Sequence, residues 1–126
     1  MEQLVWICLA GAVGTAARYL IATWAAQRLG AAFPYGTLIV NLAGCFAITA
    51  VMHAALTLAW PTVLRSALTV GFLGGLTTYS SFDYETTKLI EEGARVPAAA
   101  NVAFTVVGGL VAGWLGLLLA RQLVGP

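Results

Sequence analysis

Charge is what this chain has least of. Lys, Arg, Asp and Glu together make up 9% of its 126 residues, against 60% hydrophobic residues. An average soluble domain carries about 25% charged residues, so charges this few cannot coat a water-soluble surface of this size. The shortage excludes an ordinary cytosolic enzyme, and the hydrophobicity excludes disorder. A net charge of +1 leaves no electrostatic footprint for nucleic acid. Cysteine is equally sparse. Cys8 and Cys45 lie inside apolar runs and read as small hydrophobes rather than a disulfide or a metal pair. The one histidine, His53, has no second His or Cys close by to share a metal and no carboxylate or Ser to form a nucleophile–base pair. HExxH, CxxC and phosphate-loop patterns are missing, so the chain reads as no enzyme. Met1-Glu2-Gln3 lacks the basic start of a signal peptide.

What the chain does have is apolar length. A membrane-spanning helix takes about 20 apolar residues, and four such segments occupy residues 1–126 as a single four-helix transmembrane domain. The expected class is an all-α, multi-pass protein of the cell (inner or plasma) membrane. The first segment runs from about Leu4 to Arg28, closed by Gly30 and a Phe33-Pro34-Tyr35-Gly36 turn. The second runs from about Thr37 to Leu58 and is broken at Trp60-Pro61, with Pro61 suited to the first turn of the next helix. The third runs from about Thr62 to Glu92 and the fourth from about Pro97 to Leu123. Trp24, Tyr35, Trp60 and Tyr84 fall near segment ends, as interfacial aromatics do. With both termini on one side, Arg65 and Arg121 face Arg28, Lys88 and Arg95 across the membrane. So small a difference barely engages the positive-inside rule. It permits insertion both ways up, and hence an antiparallel homodimer.

The third segment is unlike the others. After an apolar stretch from Val63 to Leu73 come Gly74-Gly75-Leu76-Thr77-Thr78-Tyr79-Ser80-Ser81-Phe82. Paired glycines followed by hydroxyls make a poor lipid-facing helix. Opened backbone at membrane depth survives only where protein or water covers it, and such breaks mark ion and substrate sites. The third helix is therefore expected to be broken near mid-membrane, between Gly74 and Thr77. Gly71 and Gly75, Gly109 and Gly113, and Gly11 and Thr15 are spaced for close helix packing, within a subunit or between subunits.

Three polar features lie at membrane depth: Arg18, Asn41 and the stretch from Thr77 to Ser81. Intramembrane polar groups are costly and usually functional. An amide, hydroxyls and the ring edges of Tyr79 and Phe82 could replace an anion's water shell without a trapping charge. Opened backbone would instead offer carbonyls to a cation. The residues thus suggest one helix break serving ions of two signs, and do not name them. Two rival classes compete. A small four-helix proton-coupled multidrug exporter needs an embedded carboxylate, for which only Glu2, Asp83 and Glu85 stand near. A non-conducting assembly subunit would account for the glycine pairs but leave Asn41 and the polar break unexplained.

Three motifs resemble the small fluoride-channel family, Fluc or CrcB. Residues Gly11 to Tyr19 are similar to its GxxGxxxRY element, Gly36 to Gly44 to its GTLxVNxxG element, and Gly71 to Phe82 to its GFxGGxTTFSTF element. Order, spacing and length agree over nearly the whole chain. The resemblance implies an antiparallel, dual-topology homodimer with two pores that passively exports fluoride from a microbial cell. It implies a structural sodium ion at the dimer centre, held by the backbone carbonyls of Gly74 and Thr77. The pore aromatics fall on Tyr79 and Phe82, the pore amide on Asn41, and a vestibule arginine on Arg18. Glu85 matches an acidic residue just past the aromatic pair. Ser80, Ser81 and Thr105 are the hydroxyl candidates. The chain departs from the family twice. Tyr79 replaces the usual Phe, and the fourth helix carries Thr105 as its only hydroxyl, with Asn101 one turn before it as a substitute polar contact.

Overall fold

The computed structural model describes residues 1–126, and its regular structure is helical throughout. Helix α1 spans Glu2–Leu29 and α2 spans Tyr35–Thr57. Helix α3 covers residues 62–76, α4 spans Tyr79–Glu91 and α5 spans Arg95–Val124. α1, α2 and α5 are each long and apolar enough to cross a membrane. The third apolar segment is two pieces, α3 and α4, with Thr77 and Thr78 between them. Gly30 ends α1 at φ 90° and Gly93 follows α4 at φ 78°, conformations that a Cβ would strain. The ends differ from expectation by a residue or two. Tyr35 and Gly36 already belong to α2, Pro61 sits just before α3 rather than in its first turn, and α5 begins at Arg95, with Pro97 inside its first turn. A proline costs nothing there, because the first N–H groups of a helix have no helical acceptor.

The middle of α3, Ala67–Leu73, is a π-helix. The contacts with α1 explain the wider turn. Ser66 accepts a hydrogen bond from Gln3 Nε2 at 2.8 Å. Gly71 lies against Ile7 and Ala10, and Gly75 against Gly11 and Thr15. In an α-helix, the five-residue step from Ser66 to Gly71 would carry the chain about 140° off that face. An i→i+5 turn brings both residues back to α1.

Both glycine pairs are used within the chain. A Cβ on Gly14 would overlap the carbonyl oxygen of Phe72, and one on Gly75 would stand 2.5 Å from that of Gly11. On the other side of the molecule, a Cβ on Gly116 would overlap the carbonyl oxygen of Phe46. Thr49 Oγ1 donates to the Gly113 carbonyl at 2.7 Å, tying α2 to α5. His53, alone in the sequence, joins the same helices through Nε2 and the Gly125 carbonyl at 2.8 Å. Only 19 residues are buried, of which Val40, Leu73 and Leu76 form one hydrophobic cluster, while Val107, Leu110 and Trp114 face outward. Lipid is as apolar as these side chains, so close backbone approach rather than the hydrophobic effect holds the helices together.

Gly14→Ala and Gly116→Ala each press a methyl group onto backbone, at an expected cost of about 1–3 kcal/mol. Both should lower the unfolding temperature of the purified protein in detergent. Gly108→Ala, whose methyl meets only the flexible Leu42 Cδ2 at 3.1 Å, should stay near the parent.

Candidate functional site

The backbone is extended at Thr77 (φ −85°, ψ 157°) and Thr78 (φ −154°, ψ 119°). The opening therefore falls at the far end of the expected stretch, at Thr77, and runs on to Thr78, because Gly74–Leu76 still closes as a helical turn. Asn41 holds it there. Its Nδ2 donates to the Thr78 carbonyl at 2.9 Å, and its Oδ1 accepts the Thr78 N–H at 2.8 Å. One amide thus pairs with one residue's backbone as a neighbouring strand would. The pairing also sets the amide orientation, since a flipped Asn41 would meet donor with donor. Room for the extended chain comes from Gly44, where a Cβ would overlap Thr77 Cγ2.

The clamp rearranges hydrogen bonding on both sides. In an unbroken helix the Thr78 N–H would bond the Gly74 carbonyl, and the Ser81 N–H the Thr77 carbonyl. Here the first goes to Asn41, and the second goes to Thr78 Oγ1 at 3.2 Å as an N-cap. The carbonyls of Gly74 and Thr77 lose those donors. Thr77 itself stays tied to α3, since its N–H and Oγ1 both donate to the Leu73 carbonyl. α3 ends in released carbonyls, and α4 begins with N–H groups at its positive dipole end.

Two cavities flank this junction. One, of about 340 Å³, is lined by Asn41, Cys45, Gly74, Thr77, Tyr79 and Thr105 among others. The second, of about 580 Å³, lies against Thr37, Ser80, Ser81, Tyr84, Glu85 and Lys88. They share no lining residue, but one hydroxyl cluster joins them. Thr78 Oγ1 lies 3.3 Å from Ser80 Oγ and 3.1 Å from Ser81 Oγ. Tyr79 and Phe82 meet edge to face, with ring centroids 5.5 Å apart at 64°. Phe82 is buried and Tyr79 is 79% exposed. The arrangement sets carbonyls suited to a cation and N–H, O–H and ring-edge groups suited to an anion within one junction.

Residues 5–117 match the family model of CrcB-like proteins, described as Camphor Resistance (CrcB). The chain belongs to this family. It is similar to proteins named fluoride-specific ion channel FluC along their whole length. The relative from Citrifermentans bemidjiense is 48% identical over 124 residues, covering 98% of this chain and all of that protein. The one from Sorangium cellulosum is 51% identical over 126 residues, 98% of each chain. The one from Geobacter sulfurreducens is 48% identical over 124 residues. As a CrcB protein the chain is an ion channel rather than an enzyme, and a multi-pass membrane protein.

Within this CrcB chain the junction gathers most of the residues singled out from the sequence. Asn41, Thr77, Tyr79, Gly74 and Thr105 line one cavity, and Ser80, Ser81 and Glu85 the other. Arg18 is half-buried on α1, and no carboxylate lies within ion-pairing distance of it. Asn101 does not extend the Thr105 strip. It is buried and turned to α4, where its Nδ2 donates to Thr86 Oγ1 at 2.9 Å. The Thr105 hydroxyl is buried without a partner at the smaller cavity. Two further polar side chains join the site. Thr37 donates to Glu85 Oε1 at 2.8 Å, leaving Oε2 buried and unpartnered. Thr86 donates to the Phe82 carbonyl at 2.7 Å. Neither stands out in the sequence as a site residue; the one signal for them is helical spacing, four residues from Asn41 and from Phe82.

Asn41→Leu removes both halves of the clamp and leaves the Thr78 backbone unpaired, at about 1–3 kcal/mol for each stranded group. Local opening should rise by tenfold or more. Hydrogen exchange should quicken in peptides covering residues 77–82 and stay unchanged where α2 packs on α5.

Proposed function

We propose that this chain is a fluoride-selective channel that passively exports fluoride across the cell membrane, as an antiparallel homodimer with two pores. Its full-length likeness to proteins named fluoride-specific ion channels supports the ion. The observation that carries the mechanism is the Thr77–Thr78 break held by Asn41, which turns the start of α4 into a cluster of donors beside a cavity.

Fluoride is small and strongly hydrated, so a pore must replace its water with close donors. The second N–H of Asn41, the Thr105 hydroxyl and the ring edges of Tyr79 and Phe82 supply such donors. None carries a full charge, so binding stays weak enough for release. A larger, more weakly hydrated anion gains less from the same donors and fits the edge-to-face rings less well. The hydroxyl cluster of Thr78, Ser80 and Ser81 passes the ion between the two cavities. Thr37 holds Glu85 to the wall of the larger one.

A structural sodium ion belongs to the same reading. Its fit rests on the carbonyls of Gly74 and Thr77, which have lost their helical donors, and on Gly74 being exposed at the chain's surface. Carbonyl oxygens are the hard ligands such a cation takes. Paired with the same two from an inverted second copy, they would surround it. A bound cation there would balance the carbonyl dipoles at the end of α3.

Proteoliposomes loaded with fluoride should empty through the purified protein, with chloride strongly excluded. Equal fluxes of the two ions would refute the proposal. Cross-linking should recover pairs of opposite orientation. Tyr79→Phe keeps the ring edge and loses only the hydroxyl, so fluoride efflux should persist.

A further inference from the structure

We infer that Asn101 is a positioning residue: acting through Thr86, it sets the rotation of α4 and so the aim of Phe82 and Tyr79. This rests on the pore reading above. Helix α4 is short, and the extended backbone at Thr77 and Thr78 uncouples it from α3. It buries only two residues, Phe82 and Leu89, too few to fix its rotation by packing. Polar ties do this instead. From α2, Asn41 holds Thr78 at its start and Thr37 holds Glu85 on one face. From α5 comes a single side-chain bond, Asn101 Nδ2 to Thr86 Oγ1 at 2.9 Å. Thr86 spends its own hydrogen on the Phe82 carbonyl at 2.7 Å. Donation thus runs from Asn101 through Thr86 to the backbone that carries the buried ring, and each bond polarises the next.

Asn101 is a poor choice for stability. It is 1% exposed, and its Oδ1 has no partner. A buried amide with one end unpaired costs more than an apolar side chain of the same shape. What it supplies in return is direction. A leucine there could slide along α4, whereas an amide bonded to Thr86 cannot.

The test separates positioning from support. Asn101→Leu should leave the unfolding temperature in detergent equal or higher, while fluoride efflux from proteoliposomes falls roughly tenfold, the loss expected for one such bond. Thr86→Val should cut efflux as far, with a lower unfolding temperature because it strands the buried Asn101 amide, and Thr86→Ser, which keeps the hydroxyl, should restore efflux at the parent's unfolding temperature. The double variant Asn101→Leu/Thr86→Val should be no worse than either single variant, because one chain of bonds is cut twice. With Phe82 replaced by 4-fluorophenylalanine, the fluorine resonance should move or broaden in Asn101→Leu and Thr86→Val and recover in Thr86→Ser. This last reading needs no transport, so it stands even where the parent passes no fluoride. A resonance unchanged in both Asn101→Leu and Thr86→Val would overturn the inference, as would efflux lost only in step with unfolding temperature.

Discussion

One side chain bonding one backbone residue governs this molecule. Asn41 satisfies both the N–H and the C=O of Thr78 inside a helix bundle, at membrane depth. An extended backbone at membrane depth is untenable without such partners. Once it is tenable, the rest follows in sequence. α3 ends on free carbonyls, α4 starts on free N–H groups, and the hydroxyl of Thr78 is released from helical duty to cap α4 and meet Ser80 and Ser81. Gly44 contributes only by lacking a side chain, yet Thr77 could not be seated without it.

The scaffold around the clamp is built on a different principle. α1 lies against α3, and α2 against α5, through glycines that bring backbone onto backbone. These contacts are dense and unspecific in chemistry, and they leave large apolar side chains free to face lipid. The clamp is the reverse: few atoms, all polar, each with a direction. The division confines the directional polar contacts to the junction and leaves few buried polar groups elsewhere.

Much of this was legible beforehand, and the parts that were not have physical causes. Four apolar segments, the glycine pairs and the odd third segment follow from composition and spacing. The exact seat of the break did not, because paired glycines suggest the weakest helix at Gly74, whereas an external partner decides where a helix opens. That partner is Asn41, 37 residues away from Thr78 in sequence. Asn41 itself looked like a free pore amide, yet one of its N–H groups and its carbonyl are committed to Thr78. Asn101 and Thr105 stand one turn apart, a spacing that puts them on one strip of a lone helix. In the fold, α4 takes the first and the smaller cavity takes the second. The π-helical turn was invisible, since nothing in Ala67–Leu73 marks it locally. It arises from matching Ser66 and Gly71 to one neighbouring helix.

The glycine contacts have a bearing on assembly. Gly71, Gly75, Gly109 and Gly113 are all spent inside a single chain, on α1 and α2. None is left to draw a second copy close. In the proposed dimer, folding of the protomer and pairing of protomers would therefore draw on separate surfaces. Damage to a glycine should appear as first-order loss of the single chain, independent of how dilute the protein is in lipid. If the proposed dimer forms through the exposed edge around Gly74 and Tyr79, damage there should instead appear as a dependence on dilution.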